Sequence, residues 1–142
     1  MPTMKARIVH ITIGRDWREV YTFAAKPENM PLWASGLSSG LEPDGTDWIT
    51  SGPLGSARVT FSPPNDFGVL DHLVTMESGL KVHNALRVVP NGDGAEVMFT
   101  LLKLPDMSEE HFAADADWVK KDLESLKKIM EEQETTDGTE RR

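Results

Sequence analysis

The chain contains no cysteine in 142 residues. That absence removes disulfides, thiolate nucleophiles and cysteine metal ligands together, and it fits a reducing cytoplasm. Positive charge is also scarce: 15 Lys and Arg stand against 23 Asp and Glu, a net charge of −8. Such a surface repels phosphate backbones and anionic head groups, so nucleic acid is not an expected partner. No apolar run approaches the ~20 residues a membrane span needs, and the short apolar run after the N-terminal residues is no exception. There is no repeat of fixed period and no low-complexity linker. At 142 residues the chain is the size of one domain with one sizeable core, and a soluble cytoplasmic protein is expected.

What is present is period. Val9, Ile11 and Ile13 alternate with His10 and Thr12, the mark of a strand with one buried face. Asp16 followed by Glu19 forms a variant capping box for a helix from Trp17 to about Ala25. Pro27 opens a second short helix over residues 28–34, carrying Met30, Leu32 and Trp33. Turn residues then come at close intervals, among them Pro43-Asp44-Gly45, Gly52-Pro53, Pro63-Pro64-Asn65-Asp66, Gly79 and Asn91-Gly92. They separate expected strands near 39–43, 47–51, 56–62, 69–77, 80–89 and 95–103. Each connection is too short for a crossover helix, which predicts an antiparallel meander.

The end of the chain is its clearest signal. Phe112, Ala116, Val119, Leu123, Leu126 and Met130 recur at helical spacing, predicting one amphipathic helix from Ser108 to about Glu134. Such a helix is roughly 40 Å long and has to lie across a sheet to bury its stripe. Residues 135–142 have nothing to bury and are expected to form a disordered tail after a single domain of 1–134.

That order of elements, with four local segments, resembles a known superfamily. The segments are Lys26-Pro-Glu-Asn-Met-Pro-Leu-Trp33, Pro63-Pro-Asn-Asp-Phe-Gly-Val-Leu-Asp-His72, Arg87-Val-Val-Pro-Asn-Gly-Asp-Gly94 and Asp122-Leu-Glu-Ser-Leu-Lys127. The chain resembles the START-like, birch-pollen-allergen-like superfamily (SRPBCC), and within it the polyketide cyclase/dehydrase-like branch. The resemblance covers nearly the whole chain. It implies an α+β helix-grip fold: a curved antiparallel sheet of about seven strands around a long C-terminal helix, two short helices after the first strand, and an apolar pocket between sheet and helix. One such fold hosts many activities, so the resemblance carries architecture further than function.

Strand alternation predicts which side chains face that pocket. The more apolar sets are Ala57, Val59 and Phe61; Leu70, His72, Val74 and Met76; Val82, Asn84, Leu86 and Val88; and Ala95, Val97, Phe99 and Leu101. His72 and Asn84 are thereby turned inward among apolar walls and Asp71 outward, so that His72 and Asp71 cannot form a dyad without a bulge. Trp33 and Trp48 are placed at the mouth, and Val119 on the helix above. Trp33, Trp48, Phe61, His72, Asn84, Phe99 and Val119 form the candidate ligand site, with His72 the candidate general base. Each also has a plainer reading: His72 and Asn84 as hydrogen-bonded core residues, the tryptophans as core packing.

Other patterns fail on context. Gly36-Leu37-Ser38-Ser39-Gly40 fits G-x-S-x-G but lacks the strand before and the helix after that a nucleophile elbow requires. Asp115, Asp117, Asp122 and Glu124 look like an acidic cluster and read as a solvated helix face, with Asp117–Lys121 and Glu124–Lys128 at i,i+4. The four histidines, His10, His72, His83 and His111, show no metal-ligand spacing, so neither a metal nor a cofactor is expected.

Three functions stay open. The first is binding of a hydrophobic or aromatic, lipid- or polyketide-like molecule under the helix. The second is a polyketide cyclase or dehydratase in which His72 removes a proton next to a carbonyl and Asn84 stabilises the enolate; against it, Tyr21 is the only tyrosine and the arginines fall on outer faces. The third is a protein-interaction module, favoured by any exposed patch around Trp17, Trp33 or Trp118, although Trp118 beside Val119 reads more simply as helix-edge packing.

Overall fold

A computed structural model describes residues 2–37, 40–52 and 55–141, with side chains through Glu132. Among the described residues, seven strands form one antiparallel sheet in the order β1-β7-β6-β5-β4-β3-β2. They are β1 (Ala6–Ile13), β2 (Glu42–Asp44), β3 (Asp47–Gly52), β4 (Gly55–Phe61), β5 (His72–Met76), β6 (Lys81–Asn91) and β7 (Gly94–Leu102). Between β1 and β2 lie α1 (Trp17–Ala24), a 3₁₀ turn (Pro27–Asn29), α2 (Met30–Trp33) and a second 3₁₀ turn (Ser35–Leu37). The long helix α3 (Glu109–Arg141) closes the chain. This is the antiparallel meander that the turn spacing predicts and the α+β helix-grip architecture that the family resemblance implies. Among the described residues no helix is long and apolar enough to cross a membrane.

Local chemistry explains the boundaries. Asp16 caps α1 by accepting the Arg18 backbone N–H at 3.1 Å, while the Glu19 carboxylate takes the Arg15 Nε–H instead of closing the capping box. The expected helix over 28–34 divides into a 3₁₀ turn and the four residues of α2, as a segment with prolines at 27 and 31 must. The strand expected at 69–77 begins only at His72. Val69 still pairs with Arg87 as an isolated bridge, and the ladder is interrupted after it because the Leu86 N–H goes to Asp71 Oδ1 and the Leu70 carbonyl accepts from His72 Nδ1. Upstream, Asn65 Oδ1 accepts from the N–H groups of Phe67 and Val69, both at 3.0 Å, and its Nδ2 donates to the carbonyls of Pro63 and Val69. That side chain holds residues 63–69 in a loop, which Gly68 then turns at φ +70°. A Cβ there would sit 2.0 Å from the Val88 carbonyl oxygen. The rejected Ser38 motif and the Gly52-Pro53 turn fall partly outside the described residues.

The stripe of α3 grips the sheet. Phe112, Ala116, Leu123, Leu126 and Met130 are buried, and with Ile13, Val20, Leu86, Val88 and Val97 they make the core. Polar ties to the end of β1 and the turn after it fix the second half of the helix: Lys127 Nζ donates to the Thr12 carbonyl, the Gly14 N–H to Glu131, and Arg15 Nη1 to the Met130 carbonyl, each at 2.8 Å. Ser108 caps the start by accepting the His111 N–H at 3.0 Å. The backbone of α3 runs past Glu134, where the sequence stripe ends. The disorder expected of 135–142 concerns side chains outside the described set. At the sheet's margins, β2 is the three-residue strand Glu42-Pro43-Asp44 on one edge and β1 forms the other.

Candidate functional site

Cross-strand register decides what faces α3. Phe61 pairs with His72 and His72 with Asn84; Trp48 pairs with Val59, Val59 with Val74, and Val74 with Val82; Leu86 pairs with Phe99 and Phe99 with Val9. Directly paired residues share a face, so these rows all lie on the concave side. Between them and α3 is a cavity of about 250 Å³. Val59, Val74, Leu86 and Phe99 form its floor, Val119, Asp122 and Leu123 its roof, and Met30, Trp33, Ala34, Gly36 and Leu37 one wall. Val119 is the single stripe residue that is only half-buried, because it faces this space instead of another side chain.

Five of the seven candidate residues meet here: Trp33, His72, Asn84, Phe99 and Val119. Phe61 lines a neighbouring cavity of about 40 Å³ that shares Met30 and Leu86 with the larger one. Its ring reaches His72 from the side, with centroids 5.8 Å apart and planes at 45°. Trp48 lies on the correct face but one strand farther towards the sheet margin, and it lines neither cavity. Trp33 is 5% exposed, and its indole nitrogen is buried with no acceptor among the described residues.

The hydrogen bonds of His72 define its chemistry. Nδ1 lies 3.1 Å from the Leu70 carbonyl oxygen, which can only accept, so Nδ1 carries the proton. Nε2 is left as the acceptor and receives Asn84 Nδ2–H at 3.3 Å. Burial holds the imidazole below its ordinary pKa, with the Leu70 carbonyl opposing. The result is a neutral histidine with both nitrogens occupied. Asp71 does turn outward: it accepts from Leu86 N–H at 2.9 Å and pairs with Arg87 Nη2 at 2.9 Å. Arg87, followed by desolvation in the opposite sense and the Leu86 N–H, keeps its carboxyl below the usual range.

Asp122 corrects the sequence reading. It is not part of a solvated face: it lines the cavity, and its Oδ1 accepts the Ser35 N–H at 3.2 Å. Burial pushes its carboxyl above the ordinary value, partly offset by Ser35. A sequence signal existed, since Asp122 follows Val119 by three residues and abuts Leu123, at the border of the apolar stripe. The i,i+4 side-chain contacts of this helix include His111–Asp115 at 3.4 Å and the Lys127–Glu131 ion pair at 2.8 Å. Trp118 is likewise not packed at the helix edge; it is 55% exposed, with the Lys121 ammonium 4.9 Å from its ring centroid. Of the three tryptophans considered for a surface patch, Trp33 is buried and Trp17 half-buried. Among the described residues no group of three or more His, Asp or Glu is placed to hold a metal.

With this geometry the fold can be set beside known proteins. No family model and no curated protein matches the chain. Solved structures do. XoxI from Bacillus cereus superposes with a TM-score of 0.69 at 12% identity, over 92% of this chain and 99% of its own. DynU16, a protein of the dynemicin biosynthetic locus, gives 0.69 at 11% identity over 89% of this chain and 47% of its own. The Aha1 dimer from Colwellia psychrerythraea gives 0.69 at 12% identity over 89% and 96%. At such identities the shared property is the fold.

Proposed function

We propose that this protein binds a hydrophobic or aromatic small molecule, lipid- or polyketide-like, in the cavity between the sheet and α3. The observation that carries this reading is a cavity of about 250 Å³ with largely apolar walls, interrupted among the described residues by the polar side chains of His72, Asn84 and Asp122. Apolar walls supply affinity at ~25 cal/mol per Å² buried, and a few polar groups orient the guest. The domain that does this is taken to end near Glu134, and a cytoplasmic setting fits a chain without cysteine.

The cyclase or dehydratase reading has one observation in favour, the fold shared with DynU16 of a biosynthetic locus. It needs His72 as a free base, and the Nε2 lone pair already accepts from Asn84. A protein-interaction role finds its support in exposed Trp118 alone among the tryptophans considered.

Native mass spectrometry of protein purified from its own host, with a thermal-shift screen of fatty alcohols, fatty acids, flavonoids and polyketide mimics, tests the binding reading. A co-purifying small molecule, or a melting temperature raised by a subset of the screen, is expected. A protein that carries nothing and is shifted by nothing sinks it.

A further inference from the structure

The unused hydrogen-bonding capacity around the cavity is mainly that of acceptors. Asp122 Oδ1 receives the Ser35 N–H at 3.2 Å and the Ser35 hydroxyl also bonds to the carboxylate, whose two oxygens together offer about four lone-pair sites and so keep acceptor capacity. Asn84 gives one N–H to His72, and its Oδ1 has no partner among them either. His72 has no capacity left, with Nδ1–H on Leu70 and the Nε2 lone pair on Asn84. Trp33 offers no help as a donor, because its indole nitrogen presents essentially no surface to the cavity. The second N–H of Asn84 is the one donor left. No lysine or arginine lines the space among the described residues.

A carboxylate brought into this cavity meets Asp122, a like charge, with no cation to offset the loss of its hydration. A hydroxyl or an ammonium meets the spare lone pairs of the Asp122 carboxylate and the Asn84 Oδ1. The wall geometry gives such a ligand an orientation: Val74, Leu86 and Phe99 receive the apolar body on the sheet, and Asp122 receives the polar end from the helix.

Resting on the binding reading above, we infer that the cavity selects apolar ligands bearing a hydrogen-bond donor, a hydroxyl or an amine, and rejects the same skeletons ending in a carboxylate, with Asp122 as the discriminating residue. The test is isothermal titration of the full chain at neutral pH with four probes on one ring system: naphthalene, 2-naphthol, 2-(aminomethyl)naphthalene and 2-naphthoate. The naphthol and the amine should bind more tightly than naphthalene, the amine by about tenfold or more, and the naphthoate more weakly than naphthalene. Asp122→Asn, checked for folding by circular dichroism, should lose most of the preference for the amine and relieve the penalty on the naphthoate. Naphthoate binding as tight as the amine overturns the inference and leaves the binding reading intact. Failure of all four probes removes the binding reading and the inference with it. An amine preference that survives in folded Asp122→Asn overturns the role of Asp122; if that variant does not fold, the four wild-type affinities decide.

Discussion

Replacing His72 with alanine tests whether the imidazole is a structural strut or a base held in reserve. The substitution leaves the Leu70 carbonyl without its Nδ1–H donor and Asn84 Nδ2–H without its acceptor, and it removes a ring tilted against Phe61. Two neutral hydrogen bonds at about 1 kcal/mol each, with about 1 kcal/mol for the ring pair, give a cost near ~3 kcal/mol. The gap opens onto the 250 Å³ cavity, where water can reach the abandoned groups, so the expected loss falls to about 2 kcal/mol. Asn84→Ala breaks only the shared bond and should cost about 1 kcal/mol, with a coupling energy of similar size in the double-mutant cycle. Urea unfolding followed by tryptophan fluorescence measures all three. The same variant has a pH signature. Burial lowers the folded pKa of His72, so the unfolded chain binds the proton more readily. The contribution of neutral His72 is therefore complete above an unfolded pKa of about 6.5 and is lost as pH falls through the lower folded value, at no more than 1.36 kcal/mol per pH unit by the general linkage relation. His72→Ala should lack that loss. A cost below about 0.5 kcal/mol, together with wild-type and variant stability curves that stay parallel below pH 6.5, would refute the structural role argued here.

Three other outcomes follow from the same geometry. Asp71, whose carboxyl is kept below its ordinary value by Arg87 and the Leu86 N–H, stabilises the fold above an unfolded pKa of about 3.9 and ceases to as pH falls through the folded value. Asp71→Asn should cost about 1 kcal/mol at neutral pH, since Arg87 is half exposed, and should flatten the acid limb of the stability curve. Gly68→Ala should lower stability by at least ~2 kcal/mol in the same denaturation assay, because its φ of +70° and the 2.0 Å approach to the Val88 carbonyl leave no room for a methyl group. Truncation after Glu134 should change the melting temperature by no more than the equivalent of about 0.5 kcal/mol, and a larger drop would move the domain boundary.

The fold was readable because two periodicities dominate the chain. The α3 stripe, the turn dipeptides and the alternation in β4 to β7 each derive from residues whose burial is settled locally, and the cross-strand register reproduces the predicted inner faces from Val59 to Phe99. The site was less so, for reasons of scale. Asp122 looks like its neighbours Asp117 and Glu124 until the short turn at Ser35 brings a backbone N–H against it, a contact that spans most of the chain and leaves no periodic trace. Phe61 shares the inward face that alternation predicts and Trp48 is expected at the mouth, but how far a face extends as a cavity depends on curvature, which alternation does not encode. The Asn84 bond that occupies His72 Nε2 is a third such detail: register puts the two side by side, and only side-chain geometry shows the lone pair taken.

The margins of the sheet are unequal in a way that bears on self-association. Along β2 the exposed edge is Glu42-Pro43-Asp44, three residues with two like charges and one missing N–H, which cannot template a further strand. At the opposite edge, Lys127 occupies the Thr12 carbonyl near the end of β1, while towards its start Ile8 is 61% exposed. Among the described residues the first half of β1 is therefore an open backbone edge for antiparallel pairing of two copies. A charge introduced at Ile8 would close it without touching the cavity.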